Sequence, residues 1–258
     1  MRLMKRILSA AAVLALSASL LVGCSNGTAS SVPVSASSAA ESTVSSVEET
    51  ASSAVDENET AAAQLLNDLT GSYQELWPVI LADEYKQTWL DDCTALVGEE
   101  NAEAAFEKLS SMVTSDVYGE DAVEAYANGG GAYFCGFTNS LATLTFDGET
   151  STISGTDKDG NVLFSHTYHY IGMEPVRGLY EFQSDDADSG EFTYFFLAPD
   201  TSAETYHIEF RYGSDAEALS QYDTGEYAYW LASGISTDCD QTMIDNCIEL
   251  FCTENLAG

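Results

Sequence analysis

The strongest constraint on the fold lies in the second half of the chain, where apolar residues recur at every second position through a succession of short segments. Residues near 132–138, 141–147, 150–155, 161–171, 178–183, 191–198 and 204–212 are rich in aromatic and β-branched side chains. Turn clusters separate them, among them Asp147-Gly148, Asp157-Lys158-Asp159-Gly160-Asn161 and the run from Asp185 to Gly190. Short strands joined directly in sequence predict an antiparallel meander, and a sheet of that many strands in one domain curls and closes, which removes its exposed edges. The preceding stretch, from about Thr60 to Tyr126, has the three- and four-residue spacing of helices: Leu65, Leu66 and Leu69, then Tyr73, Leu76, Trp77 and Ile80, and later Ala105, Phe106, Leu109 and Met112. Pro78 disfavours helix at Trp77, so a break or a new helix start belongs there, and Asn128 to Gly131 ends the helical half. From about Thr237 to Leu256 the helical period returns, with Met243, Ile244, Cys247, Ile248 and Phe251 on one stripe. The fold class is therefore mainly β, a closed antiparallel barrel with N-terminal helices and a C-terminal helix.

The N-terminus reads as an address. Met1 to Arg6 is basic, Ile7 to Leu20 is apolar over the length of a signal-peptide core, and Leu21-Val22-Gly23-Cys24 resembles a bacterial lipobox, in which Cys24 is the lipid-attachment site. Residues 1–23 are expected to be a lipoprotein signal peptide, and 24–59, dominated by Ser, Ala, Thr, Val and Glu without an aromatic residue, a disordered tether with a span of roughly 30–35 Å. The folded domain is expected over 60–258. This places the chain outside the bacterial cytoplasmic membrane, which it meets through the lipid anchor only.

Charge narrows the partners. The chain has 42 acidic residues against 8 basic ones, and past residue 23 the balance is 42 against 5, a formal charge of −37. Such a surface repels nucleic acid and anionic headgroups and gathers cations. The acidic turns are not EF-hand loops: counting from Asp157 or Asp186 puts Tyr168 or Leu197 at position twelve, where a bidentate Glu is required. Besides Cys24 there are Cys93, Cys135, Cys239, Cys247 and Cys252, with no CxxC pair, so an oxidising compartment permits at most two bridges and leaves a thiol over. Cys247 and Cys252, five apart on a helix, point to different faces and are not expected to pair with each other.

Three groups of residues resemble the ZinT family of secreted zinc-binding proteins. They are Gly71-Ser-Tyr73-Gln-Glu-Leu-Trp77-Pro78-Val-Ile-Leu81, then Val176-Arg177-Gly178-Leu179-Tyr180-Glu181, and finally Leu197-Ala198-Pro199 followed by His207-Ile208-Glu209-Phe210-Arg211-Tyr212-Gly213-Ser214-Asp215. Their order and separations agree with the family over roughly residues 65–235. The resemblance implies a lipocalin-like (calycin) barrel and a zinc site of three histidines, one before the Ala-Pro turn and two as His-x-His after it. Here His207 stands at the first His-x-His position, Glu209 replaces the second, and Phe195 occupies the earlier position, where it cannot ligate.

By their own chemistry, His207 and Glu209 lie two apart on a strand and project to one face, where an imidazole and a carboxylate suit zinc. A third donor has to come from His166 or His169, whose odd spacing sends them to opposite faces. A plainer reading stands beside this one: Thr205, His207, Glu209 and Arg211 form a solvated face with a Glu–Arg pair, while Tyr206, Ile208, Phe210 and Tyr212 face the core. The expected function is a cell-surface lipoprotein that binds a divalent transition metal, zinc above all, for scavenging or delivery to a metal uptake transporter. The alternative is a barrel that has lost the metal and takes a small organic ligand or surface partner, Phe195 lining its pocket. An enzyme is not expected, because the chain has no G-x-S-x-G, HExxH or P-loop.

Overall fold

The computed structural model describes residues 57–127, 131–198 and 207–257. The expected signal peptide, Cys24 and the expected tether up to residue 56 lie outside the described residues. A first helix, α1, covers 57–68. It is followed by β1 (Gly71–Glu75), α2 (Leu76–Ile80), α3 (Lys86–Val97), α4 (Ala102–Ser111), α5 (Glu120–Ala127), β2 (Thr143–Asp147), β3 (Thr152–Thr156), β4 (Val162–Met173), β5 (Tyr180–Ser184), β6 (Tyr194–Leu197), β7 (His207–Gly213), α6 (Ala216–Leu219), β8 (Ala232–Ser236) and α7 (Gln241–Leu256). Each strand pairs antiparallel with the next, and β8 closes on β1 through Tyr73↔Ser236, Gln74↔Ile235 and Glu75↔Gly234. The expected mainly-β barrel with N-terminal helices and a C-terminal helix is what forms.

Its boundaries differ from the sequence reading in three places. Residues 71–75, set within the helical half by the spacing of Tyr73 and Leu76, are the first barrel strand, tied to β2 by the Ser72 and Thr145 hydroxyls at 2.8 Å. Residues 132–138 contribute no barrel strand: Phe134 makes isolated bridges to Thr114 and Trp230, and the Glu75 carboxylate accepts the Phe137 N–H at 2.6 Å. The closing strand is instead β8. Pro78 acts as expected, falling in the first turn of α2, where its missing N–H leaves no helical bond unmade.

Two apolar cores share the barrel wall. Inside, Tyr73, Leu144, Phe146, Ile153, Phe164, Tyr168, Phe182, Phe195, Ile208, Phe210 and Tyr212 are buried, together with Leu65, Leu66 and Leu69 of α1. Phe195 of β6 lies 5.8 Å from Phe164 and 5.4 Å from Tyr168, both on β4, with β5 between those strands in the sheet; such contacts run across the lumen. The lumen is therefore filled with packed rings, each contributing about 1.5–3 kcal/mol by its burial. Outside, α2, α3, α4 and α7 bury Leu76, Trp77, Ile80, Trp89, Cys93, Leu109, Ile244, Cys247, Ile248 and Cys252 in a second cluster that includes Ile235 of β8. The α7 N-terminus is capped by Asp240, whose carboxylate accepts the Met243 N–H at 3.0 Å.

The acidic turns close hairpins. Asp157 accepts hydrogen bonds from the backbone N–H groups of Asp159 and Asn161, both at 2.9 Å, and so links β3 to β4; these bonds lower its pKa, the Asn161 side chain contributing most. Among the described residues no helix is long and apolar enough to cross a membrane.

Candidate functional site

The barrel wall sorts the candidate residues into two sets. On β4, Phe164, Tyr168 and Tyr170 face the lumen side, and His166 lies in the same alternate register, opposite Ile153 of β3. His169 takes the other face, opposite Gln183 of β5. Each histidine meets an aspartate from the turn that follows β5: His166 Nδ1 lies 2.7 Å from Asp186 and His169 Nδ1 2.6 Å from Asp185. That turn is held by its own bonds. The Asp185 N–H donates to the Thr167 carbonyl at 2.9 Å, the Asp186 N–H to the Ser184 hydroxyl at 3.1 Å, and the buried Ser189 hydroxyl to Ser184 at 2.7 Å.

An ionised carboxylate only accepts, so the shared hydrogen belongs to Nδ1 of each imidazole. In the neutral ring Nε2 then carries the lone pair. Metal-ligating histidines are oriented in this way, one nitrogen donating to a carboxylate and the other turned toward the ion. The side chain of His166 is 16% exposed and that of His169 is 53% exposed, so the second is the more open to an ion from solution.

On β7 the register runs the other way. Ile208, Phe210 and Tyr212 belong to the lumen core, and His207 and Glu209 share the outer face with their cross-strand partners Ile235 and Ser233. This outer face is not bulk water: Ile235 is fully buried beneath the helices. Burial pushes the Cys135 and Cys247 thiols up to about 12, and the negative charge of Glu209 adds to both shifts, which places its carboxylate within electrostatic reach of the two sulfurs. Phe195 is on the lumen side, so the barrel wall separates it from His207 and Glu209. Strands β5 and β6 lie between His169 and His207 in the sheet. The three positions that the resemblance assigns to zinc thus do not converge, and among the described residues no group of three or more His, Cys, Asp or Glu side chains is placed to hold a metal ion.

Arg211 overturns the solvated-face reading of this strand. It is fully buried, and its guanidinium donates to the carbonyls of Leu219, Gln221 and Tyr227. Its Cζ lies 4.4 Å from the Tyr222 ring centroid, and Arg177 lies 4.3 Å from the same ring. Desolvation, reinforced by the charge of Arg177, holds the Arg211 pKa down to about 10. Nearby, the buried Glu174 carboxylate accepts the N–H groups of Val176 and Arg177, both at 2.7 Å, and closes the turn before β5. Spacing alone carried no signal for either group, because the segment that covers Arg211 has no hydrophobic period.

No protein-family model matches the sequence, and no curated protein matches it. Two of the solved structures that are similar in fold are zinc-bound. One is the Zn(II)-bound ZinT-like domain of Streptococcus pneumoniae AdcA, with 15% identity and a TM-score of 0.45 over 71% of this chain and 89% of that one. The other is Zn(II)-bound AdcA from Streptococcus pneumoniae, with 14% identity and a TM-score of 0.42; the match covers 72% of this chain and 35% of that one, so this chain spans about a third of it.

Proposed function

We propose that this domain captures divalent transition-metal ions, zinc above all, at its acidic surface, and that it does so as a ZinT-like lipoprotein held outside the bacterial cytoplasmic membrane by a lipid on Cys24. The observation that carries the metal reading is the pair of Asp-oriented histidines, His166 with Asp186 and His169 with Asp185. Each offers one imidazole nitrogen, Nε2, on the side of the ring away from the aspartate that orients it, and the surrounding negative charge raises the local cation concentration. A single imidazole on each face makes a weak site, the rest of the ion's shell being water. That suits a scavenger or a feeder for a metal uptake transporter, which must give the ion up again. The lumen is filled by aromatic side chains, and that packing favours the metal reading over a small organic ligand inside the barrel.

Isothermal titration with Zn²⁺ tests the reading. Wild-type protein is expected to bind below 1 mM, and His166→Ala and His169→Ala are each expected to remove part of the heat. Absence of binding below 1 mM refutes the function. Loss of binding in His207→Ala alone, with both β4 variants unchanged, moves the site to β7 and refutes the assignment to β4.

A further inference from the structure

The helical layer brings together two cysteines that the sequence separates by 159 positions. Cys93 lies in α3 and Cys252 in the last turns of α7; both are fully buried, and their Sγ atoms are 3.9 Å apart. All five cysteines among the described residues are free thiols, and Cys135 is directed away from the pair, to the Tyr133 carbonyl at 3.9 Å. The sulfurs need to approach by roughly 2 Å to reach bonding distance, which side-chain rotation supplies where the two helices are already packed together.

We infer that Cys93 and Cys252 form a disulfide that fastens the C-terminal helix to α3 when the chain folds in the presence of a disulfide oxidant. The thiolate of one cysteine attacks a small exogenous disulfide such as oxidised glutathione, forming a mixed disulfide and releasing one glutathione thiolate. The thiolate of the other attacks the protein sulfur of that intermediate, forms the Sγ–Sγ bond and releases the second. Two protons leave the protein thiols, and two electrons pass to the oxidant, which ends as two thiols. The step belongs to folding. Once α7 is docked, burial raises the pKa of both thiols and shields them, so the reduced folded form reacts slowly and the bridged form resists reduction. The predicted extracytoplasmic address supplies the oxidising surroundings in which such a bond persists.

The test is refolding of the full chain from denaturant in a glutathione redox buffer, acid quenching, alkylation under denaturing conditions and peptide mapping by mass spectrometry. The expected result is two fewer alkyl adducts per chain than after refolding with a strong reductant, together with a linked peptide pair carrying Cys93 and Cys252. Cys93→Ser and Cys252→Ser each lose that linked pair. An unchanged adduct count overturns the inference, as does a linkage of Cys93 or Cys252 to any other cysteine. The mapping is read on the wild-type chain and does not depend on either variant folding.

Discussion

Replacing Arg211 by Met removes a buried cation while keeping much of its length. The carbonyls of Leu219, Gln221 and Tyr227 then lose a charged donor, at a cost of about 1.5–3 kcal/mol each, and the stack on Tyr222 contributes about 1 kcal/mol more. Against this stands the desolvation that the charge no longer suffers, about 3 kcal/mol for a pKa held at about 10 instead of 12.5. The balance is a loss of about 3–5 kcal/mol, the lower part of the sum, because loop carbonyls regain water as they relax. With a denaturant slope of about 2 kcal/mol per molar urea, the unfolding midpoint falls by about 1.5–2.5 M. Arg211→Lys keeps the charge without the planar fork and is expected to lie between wild type and Arg211→Met. Urea unfolding followed by tryptophan fluorescence reads the effect. A drop under 0.5 M in Arg211→Met means that the guanidinium does not hold the segment from 214 to 230 against β7, and the reasoning fails.

Three further perturbations probe other parts of the structure. Phe195→His supplies the imidazole that the zinc resemblance lacks, but on the lumen side of the wall; Zn²⁺ affinity is expected to rise less than threefold, and a tenfold rise that His207→Ala abolishes contradicts the register of β6 and β7. Burial raises Cys135 and Cys247 from 9.0 to about 12, and Tyr222 and Tyr227 from 10.0 to about 12. The unfolded chain ionises these groups first, so the stability they contribute is fully present below pH 9 and is lost as pH climbs from 9 to 12; a urea midpoint at pH 10 no lower than at pH 7.5 contradicts this. A methyl group at Gly148 meets the Asn67 backbone at 2.4 Å, so Gly148→Ala is expected to displace α1 and cost about 1–3 kcal/mol in urea unfolding; a neutral result shows that α1 does not pack on the β2–β3 turn.

The barrel was legible because its middle strands alternate cleanly and their turns carry Asp, Asn and Gly. Its two closing strands were not. Gly71–Glu75 buries only Tyr73, and that residue sits at helical distance from Leu69 and Leu76, so the period of two had too few positions to appear. Ala232–Ser236 is made mainly of small residues, since a Cβ at Gly234 would lie 3.1 Å from Ile208 and the helices cover its other face; bulk, the usual mark of a strand, is excluded there by packing. For the site, the odd spacing of His166 and His169 correctly put them on opposite faces. Their aspartates were not foreseeable, because the pairing depends on the turn after β5 folding back along β4. Arg211 was misread as solvated because the strand pattern shows which face a side chain takes but not what later chain covers that face.

The placing of Arg177 and Arg211 against the Tyr222 ring bears on how the molecule meets an electrolyte. Past residue 23 the chain has five cationic side chains against 42 carboxylates; Arg211 is buried and Arg177 half-buried against this ring, so only Lys86, Lys108 and Lys158 present a positive charge openly at the surface. The domain therefore behaves toward its surroundings as a polyanion wrapped in a mobile counterion cloud about 10 Å deep at 0.1 M salt. A divalent ion enters that cloud by exchange with monovalent ones before any single imidazole meets it, and dilution of the medium thickens the cloud and strengthens the collection.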